Sequence, residues 1–386
     1  MKKIVICVLS YVLVAFIAAG TTLCCCLMIP RGTTDKLDEL QSLIQAYFIG
    51  EPDKEAMLDA AASAMVGAIG DPWSYYMPAD IHKDYQDAMA NIYVGIGIVV
   101  ESRESGVGFD IISVSVNGPA EAAGVLKGDV LTAVDGKAVN GTDTELVRKL
   151  INGEAGTQII LTVERNGEAL DIPVIRKAFQ IPVVTSKMLE DNIGLIAIDN
   201  FDDRCAQETL AAITSLREQG ATALILDVRN NPGGYKRELV EVLDYLLPEG
   251  ELFRAVYYGG ETRVDYSDAA FLDMPMAVLI NGNSYSAAEF FAAALDDYDA
   301  AVLVGEKTVG KGYLQSTFQL SDGSAVNLSI AKYYTPKGIS LAGVGLQPEV
   351  EVVVDELTAY LIAVDALDPD EDPQIIAAVN ALKSAK

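Results

Sequence analysis

Five consecutive apolar residues, Met276–Ile280, run into the small-residue stretch NGNSYSAAE, and a helical pattern carried by Phe290, Phe291 and Leu295 follows at once. This order reads as a buried strand, a tight turn and a helix, with Ser286 at the point where the turn becomes helix. A hydroxyl there is exposed, and the free backbone N–H groups of the helix start are aimed at whatever it attacks. A second apolar run, residues 301–304, leads into a glycine-rich turn that holds Lys311 between Gly310 and Gly312, and Gln315 follows four residues later. Two short apolar strands joined by a helix require an α/β layer arrangement around this turn.

A serine hydroxyl needs a base before it becomes a nucleophile. The usual base is histidine, and the chain has one, His82, in the polar stretch ADIHKDYQD far from the glycine-rich turns. A Ser-His-Asp triad and a histidine-rich zinc site are therefore disfavoured. Lysine remains, and Ser-Lys pairs are a known alternative. The lysine must be neutral, so burial has to bring its pKa well below ~10.4. Lys311 suits that role, and Gln315 can orient the amine without adding charge. The bland alternative makes Ser284 or Ser286 a helix cap and Lys311 a turn residue. Lys307 is a rival base that lacks the flanking glycines.

With those residues in view, the segment resembles the active site of the carboxyl-terminal processing, or tail-specific, proteases. Their pattern is N-x-x-S-A-S-A-S-E opening a helix, then G-E-x-T-x-G-K-G-x-x-Q. The resemblance implies Ser286 as nucleophile, Lys311 as base and Gln315 as its support, with the 25-residue spacing from Ser286 to Lys311 kept. Tyr285 stands where alanine is usual and Ala288 where serine is usual. The run RNNPGG, residues 229–234, resembles the family's L-D-x-R-x-N-P-G-G loop. That likeness implies an oxyanion hole made by the N–H of Ala287 and of Gly233 or Gly234, and two such donors are worth several kcal/mol. The structural alternative for the loop is a plain turn before a helix.

Residues 93–177 read as a β-rich module. The run G-P-A-x-x-A-G-V-L-K-G-D-x-L, residues 118–131, resembles a PDZ domain. The resemblance makes Val94, Gly95, Ile96, Gly97 and Ile98 the loop that captures a peptide's terminal carboxylate, with Ile96 and Ile98 lining an apolar pocket for its last side chain. Upstream, GDPWSYYMP, residues 70–78, resembles the family's G-D-P-x-S-x-Y segment, and its aromatics read as packing groups.

The remaining organisation follows. Residues 1–30 hold Lys2 and Lys3 and then an uncharged run over 4–30, long enough to span the ~20 residues of a bilayer crossing. This favours a single-pass anchor at the cell membrane with the body extracytoplasmic. Cleavage near Ala18-Ala19-Gly20 and lipidation at Cys24, Cys25 or Cys26 are competing processed forms. Residues 31–92 read helical, 178–355 as the protease domain, and 356–386 as a helical, polar tail. The fold class implied is α/β, a crotonase/Clp-protease-like ββα domain with an inserted PDZ module and an N-terminal transmembrane helix.

With 55 acidic against 28 basic residues, the net charge is −27. Such a surface repels phosphate backbones, so nucleic acid is not an expected partner. It also raises lysine pKa values, which desolvation of Lys311 must outweigh. Cys205 is the body's one cysteine, so no intradomain disulfide or thiolate zinc site forms there, and it reads as inert. No metal, nucleotide or other cofactor motif is visible. The expected partners are protein or peptide substrates with free C-termini and the membrane, and a homodimer is compatible with the sequence. Two other readings compete with a Ser-Lys endopeptidase acting through an acyl-enzyme: a non-catalytic PDZ scaffold on a protease-like fold, and a crotonase-like acyl-CoA enzyme.

Overall fold

A computed structural model describes residues 36–103, 106–141 and 143–384. The proposed anchor over residues 4–30 lies outside them. Among the described residues no helix is long and apolar enough to cross a membrane. The chain divides into two units at Met65 and Val66. The helix Lys36–Tyr47 of the first unit carries the expected apolar spacing, yet Leu40 and Leu43 are exposed and the helix buries no residue.

The second unit is built on a six-stranded sheet in the order Val184–Met188, Ile193–Ile198, Ala223–Asp227, Met276–Ile280, Ala301–Gly305, Val350–Glu351. All neighbours pair parallel except the first two strands. Parallel strands need crossover connections, and helices cover both faces of the sheet, so the central strands are apolar without alternation. Met276–Ile280 is buried at every position. Its side chains still divide by parity. Met276, Val278 and Ile280 join a core with the helices Cys205–Glu218, Lys236–Leu246 and Ala287–Asp297. Ala277 and Leu279 join a second core on the opposite face.

That opposite face is closed by the helix Pro373–Ser384, through Ile375, Ala378 and Leu382. The tail expected to be polar is thus a structural layer, with an apolar stripe that composition alone obscures. Its N-terminal end also meets a buried charge. Arg229 bonds Asp227 through Nε and Nη2, and its Nη1 donates to Asp372 Oδ2 at 2.8 Å and Gln374 Oε1 at 2.9 Å. Burial works against the guanidinium's charge, but the carboxylates of Asp227 and Asp372 outweigh it and raise its pKa.

A second sheet holds Tyr75–Met77, Ala325–Tyr334, Gly250–Tyr257 and Thr262–Ser267 in that order, with Tyr313–Gln319 also paired to Ala325–Tyr334. The short strand Tyr75–Met77 fixes the GDPWSYYMP segment against this sheet, with Tyr75 opposite Asn327 and Met77 opposite Ala325. A separate β-rich module runs Ile98–Ser102, Phe109–Val114, Val130–Val134, Gln158–Arg165, Glu168–Ile175 around its own core of Ile111, Leu131, Leu161 and Val163. Its first strand pairs only with Phe109–Val114 among the described residues, which leaves one edge open.

The buried Arg229 cluster generates a stability prediction. Arg229→Ala strands Asp227 and Asp372 without their partner, and should cost ~3–5 kcal/mol in urea unfolding. Arg229→Lys should recover little of it, because one ammonium cannot span a fork shared by two carboxylates and an amide.

Candidate active site

Ser286 caps the helix Ala287–Asp297 with φ 60° and ψ −121°. An L-residue held there costs on the order of 1–3 kcal/mol, so its surroundings must enforce it. The enforcing group is Glu289, which is 0% exposed. Its carboxylate accepts from Ser286 N at 3.1 Å, Lys311 N at 3.0 Å, Thr308 Oγ1 at 2.5 Å and Gly310 N. One buried carboxylate therefore ties the serine turn to the lysine turn. Glu289 is not among the residues that the sequence singles out, although the capping-box spacing Ser286-x-x-Glu289 is a signal for it.

The RNNPGG loop packs against the serine from the other side. Ser284 Oγ donates to Val228 O at 2.7 Å, and Tyr285 N donates to Asn231 O at 3.2 Å. Gly233 has φ 96°, and a Cβ there would lie 2.7 Å from Ser286 Cβ and 2.8 Å from Ala287 N. No other residue fits. The N–H of Gly233 donates to Asn231 Oδ1 at 2.8 Å. Of the two candidate glycines, Gly234 is the one whose N–H has no protein acceptor among the described residues, and the N–H of Ala287 is likewise unspent.

Lys311 is half-buried. Burial pushes its amine below the usual lysine range, while the charges of Asp71 and Glu289 pull it back up. Nζ lies 5.1 Å from the Trp73 ring centroid and 5.7 Å from that of Tyr285, and the two rings stack at 6.3 Å. Trp73 and Asp71 come from the GDPWSYYMP segment, whose aromatics the sequence presents as packing groups. They reach Lys311 because Ser74 Oγ accepts from Ser329 N at 3.0 Å and Trp73 O accepts from Asn327 Nδ2 at 3.2 Å. No hydrogen bond joins Lys311 Nζ to Ser286 Oγ among the described residues. Gln315 also differs from expectation. Its Nε2 donates to Tyr313 O at 2.8 Å and Ser329 Oγ at 3.4 Å, and no hydrogen bond links it to Lys311 among the described residues.

Ser286, Lys311, Gln315, Gly233 and Gly234 open on one cleft of about 850 Å³. Lys307 is exposed and does not line it. His82 does line it, brought there by the helix Ala79–Met89 despite its distance in sequence. Its Nδ1 donates to Gly323 O at 2.9 Å. Cys205 is fully buried, which pushes its thiol up to about 12 and keeps it inert.

In the β-rich module the five loop residues divide. Val94 and Gly95 pair with Ala178 and Lys177 in a two-stranded ribbon. Ile96 is 1% exposed and belongs to the module's core, so it does not line an open pocket as expected. Ile98 is partly buried against the same core. The N–H groups of Ile96 and Gly97 have no protein acceptor among the described residues.

Comparison with known proteins bears on most of the chain. Residues 192–352 match the model of peptidase family S41, and residues 94–175 that of the PDZ domain. The carboxy-terminal processing protease CtpA of Bacillus subtilis is 32% identical over 320 residues, covering 82% of this chain and 68% of that protein. A probable CtpA-like serine protease of Staphylococcus haemolyticus is 32% identical over 354 residues, covering 88% of this chain and 71% of that protein. Among solved structures, the photosystem II D1 C-terminal processing protease superposes with a TM-score of 0.50 at 27% identity, over 87% of this chain and 92% of that one. A structure named "Putative S41 protease", from Bacteroides fragilis, superposes at 0.60 with 17% identity, over 88% and 93%, a likeness of fold alone. Relatives of this similarity across most of its length place the chain in peptidase family S41, among the PDZ-bearing serine peptidases of the carboxyl-terminal processing kind.

Proposed function

We propose that this peptidase is an extracytoplasmic endopeptidase, held at the membrane by residues 4–30, that works through a Ser286–Lys311 dyad. The observation that carries the dyad is the shared carboxylate of Glu289, which binds the backbone N–H of both residues and sets them on one cleft. Neutral Lys311 takes the proton of Ser286 Oγ as that oxygen attacks a peptide carbonyl. The N–H groups of Ala287 and Gly234 take the developing oxyanion. Lys311 then gives its proton to the leaving amine, the C–N bond breaks, and an acyl-enzyme remains. Water attacks the ester with Lys311 again as base, which releases the acid and restores Ser286. Gln315, bonded to Tyr313 O and Ser329 Oγ, holds the strand that carries the cleft wall. The PDZ module presents the substrate. The open edge of Ile98–Ser102 takes an extended C-terminus as an added strand, and the N–H groups of Ile96 and Gly97 take its carboxylate.

Lys311→Ala should lower kcat/KM on an unfolded protein by a hundredfold or more, on the order of ~10²–10⁴ for loss of a general base. Lys307→Ala should leave it unchanged, and Lys311→Arg should fail because a guanidinium does not deprotonate. Near-wild-type cleavage by purified Lys311→Ala would remove the dyad.

The active form carries neutral Lys311, whose pKa is lowered by burial. The rate should therefore rise with pH through that lowered value and then level. A rate that falls steadily from about pH 6 to about pH 9 in folded enzyme contradicts a lysine base.

For the PDZ role, the full chain carrying Ser286→Ala should bind a peptide with a free carboxylate more tightly than its C-terminal amide, by about tenfold for the lost charge-assisted bonds. Equal affinity in calorimetric titration would remove carboxylate capture and leave the dyad untouched.

A further inference from the structure

Asp202 lies on the same cleft as Ser286 and has no part in the chemistry above. The segment that carries it is strapped to the glycine loop. Phe201 N donates to Gly233 O and Tyr235 N to Phe201 O, both at 2.7 Å, and a Cβ on Gly234 would lie 2.7 Å from Asp202 N. Its backbone is fixed further by Asn200 Oδ1, which accepts from Asp202 N at 3.0 Å. The residue is 9% exposed, and its Oδ1 is buried without a hydrogen-bond partner among the described residues. A buried carboxylate oxygen left unpaired is costly, so a site that keeps one is built for a donor that arrives later.

The surrounding charges say what kind of donor. Helix Lys236–Leu246 contributes Arg237 and Glu238. Arg237 is committed elsewhere, since it pairs with Asp203 and Glu238 and stacks on Tyr235. Asp203 and Glu238 add negative charge beside Asp202. Across the cleft, helix Ala79–Met89 contributes His82 and Tyr85, and His82 is bonded to Gly323 O. Helix Cys205–Glu218 contributes the inert Cys205. No salt bridge reaches Asp202 among the described residues. Burial, and then Asp203 and Glu238, push its carboxyl up to about 7, against a smaller opposing pull from Arg237.

We infer that Asp202 is a specificity residue that receives a lysine or arginine side chain of the substrate near the scissile bond. The placement next to Gly234 puts the subsite beside the proposed oxyanion donors, so this inference rests on the reading of the cleft as a peptidase site. A cation there pairs with the carboxylate and offsets an acidic cluster that Arg237 alone does not balance. The sign with pH follows. Above about 7 Asp202 is charged and the preference for a cation is present. As pH falls through that value the carboxyl takes a proton and the preference fades, while the substrate lysine, at ~10.4, stays charged throughout.

The test is a binding measurement, so it does not depend on turnover. The full chain carrying Ser286→Ala is titrated with fluorescent peptides in which one lysine is walked through a neutral sequence of constant C-terminus. Each is compared with its norleucine counterpart. At one position lysine should bind about tenfold more tightly at about pH 8, the scale of a partly buried charge pair. Asp202→Asn in the same background should bring that ratio to near unity, and so should lowering the pH of the parent to about 5.5. The isosteric amide keeps the packing, and an unfolding midpoint no lower than the parent's verifies that it does, since loss of a buried charge can only raise it. The inference is overturned if no position prefers lysine, or if the preference survives Asp202→Asn. Loss of peptidase activity on Lys311→Ala bears on the dyad alone, and the binding ratio bears on Asp202 alone.

Discussion

Everything in the cleft depends on one buried carboxylate. Glu289 is without solvent and accepts from three backbone N–H groups and a hydroxyl, which is the condition for burying a carboxylate at all. Each of those bonds also sets a position. The bond from Ser286 N holds a residue at positive φ, and those from Gly310 and Lys311 N close the glycine turn onto the same helix. A neutral glutamine would keep one acceptor oxygen and place a donor where an N–H already points. The serine turn and the lysine turn are separated by a helix and a strand in sequence, and this carboxylate makes them one structural unit.

A second constraint acts from beneath. The RNNPGG loop is pressed against Ser286 above the sheet, and its first residue, Arg229, reaches below to Asp372 and Gln374. Buried ion pairs contribute little net stability but are destabilising to break. The arrangement therefore fixes geometry more than it adds free energy. The helix Pro373–Ser384 completes the core of the lower face, and Gln374 in its first turn and Asp372 just before it are two of the partners of Arg229. The helix Pro373–Ser384 and the RNNPGG loop are thus mechanically continuous.

Much of this is legible in the sequence, because short-range patterns specify strand, turn and helix. The strands Met276–Ile280 and Ala301–Gly305 lie where their apolar runs place them. Gly233 is legible as a loop glycine, but its N–H bond to Asn231 Oδ1 is not, since it depends on a side-chain rotamer within the loop. Long-range placements are hidden for a different reason. Trp73 meets Lys311 only because Tyr75–Met77 adds to a strand some 250 residues away, and no local pattern encodes that pairing. The tail conceals its packing role because its three core residues are spaced among alanines and polar groups. Ile96 misleads because a glycine on each side suggests an exposed loop, whereas its side chain turns inward.

The amine of Lys311 sits in a balance that its surroundings set. Burial favours the neutral amine, and the carboxylates of Asp71 and Glu289 favour the ammonium. The faces of Trp73 and Tyr285 favour the ammonium as well, by ~0.5–2 kcal/mol for a cation over an aromatic ring. A tenfold change in a protonation equilibrium corresponds to ~1.4 kcal/mol. The rings therefore bear on the charge of the amine about as strongly as a tenfold change in proton concentration. In the proposed mechanism the amine must leave those rings to meet Ser286, and a bound substrate must exclude water from the cleft. Both changes remove stabilisation of the charged form. In that mechanism substrate entry therefore favours the neutral Lys311 that proton abstraction requires. Tyr285, standing where the family pattern has alanine, makes that resting position a property of this chain's own sequence.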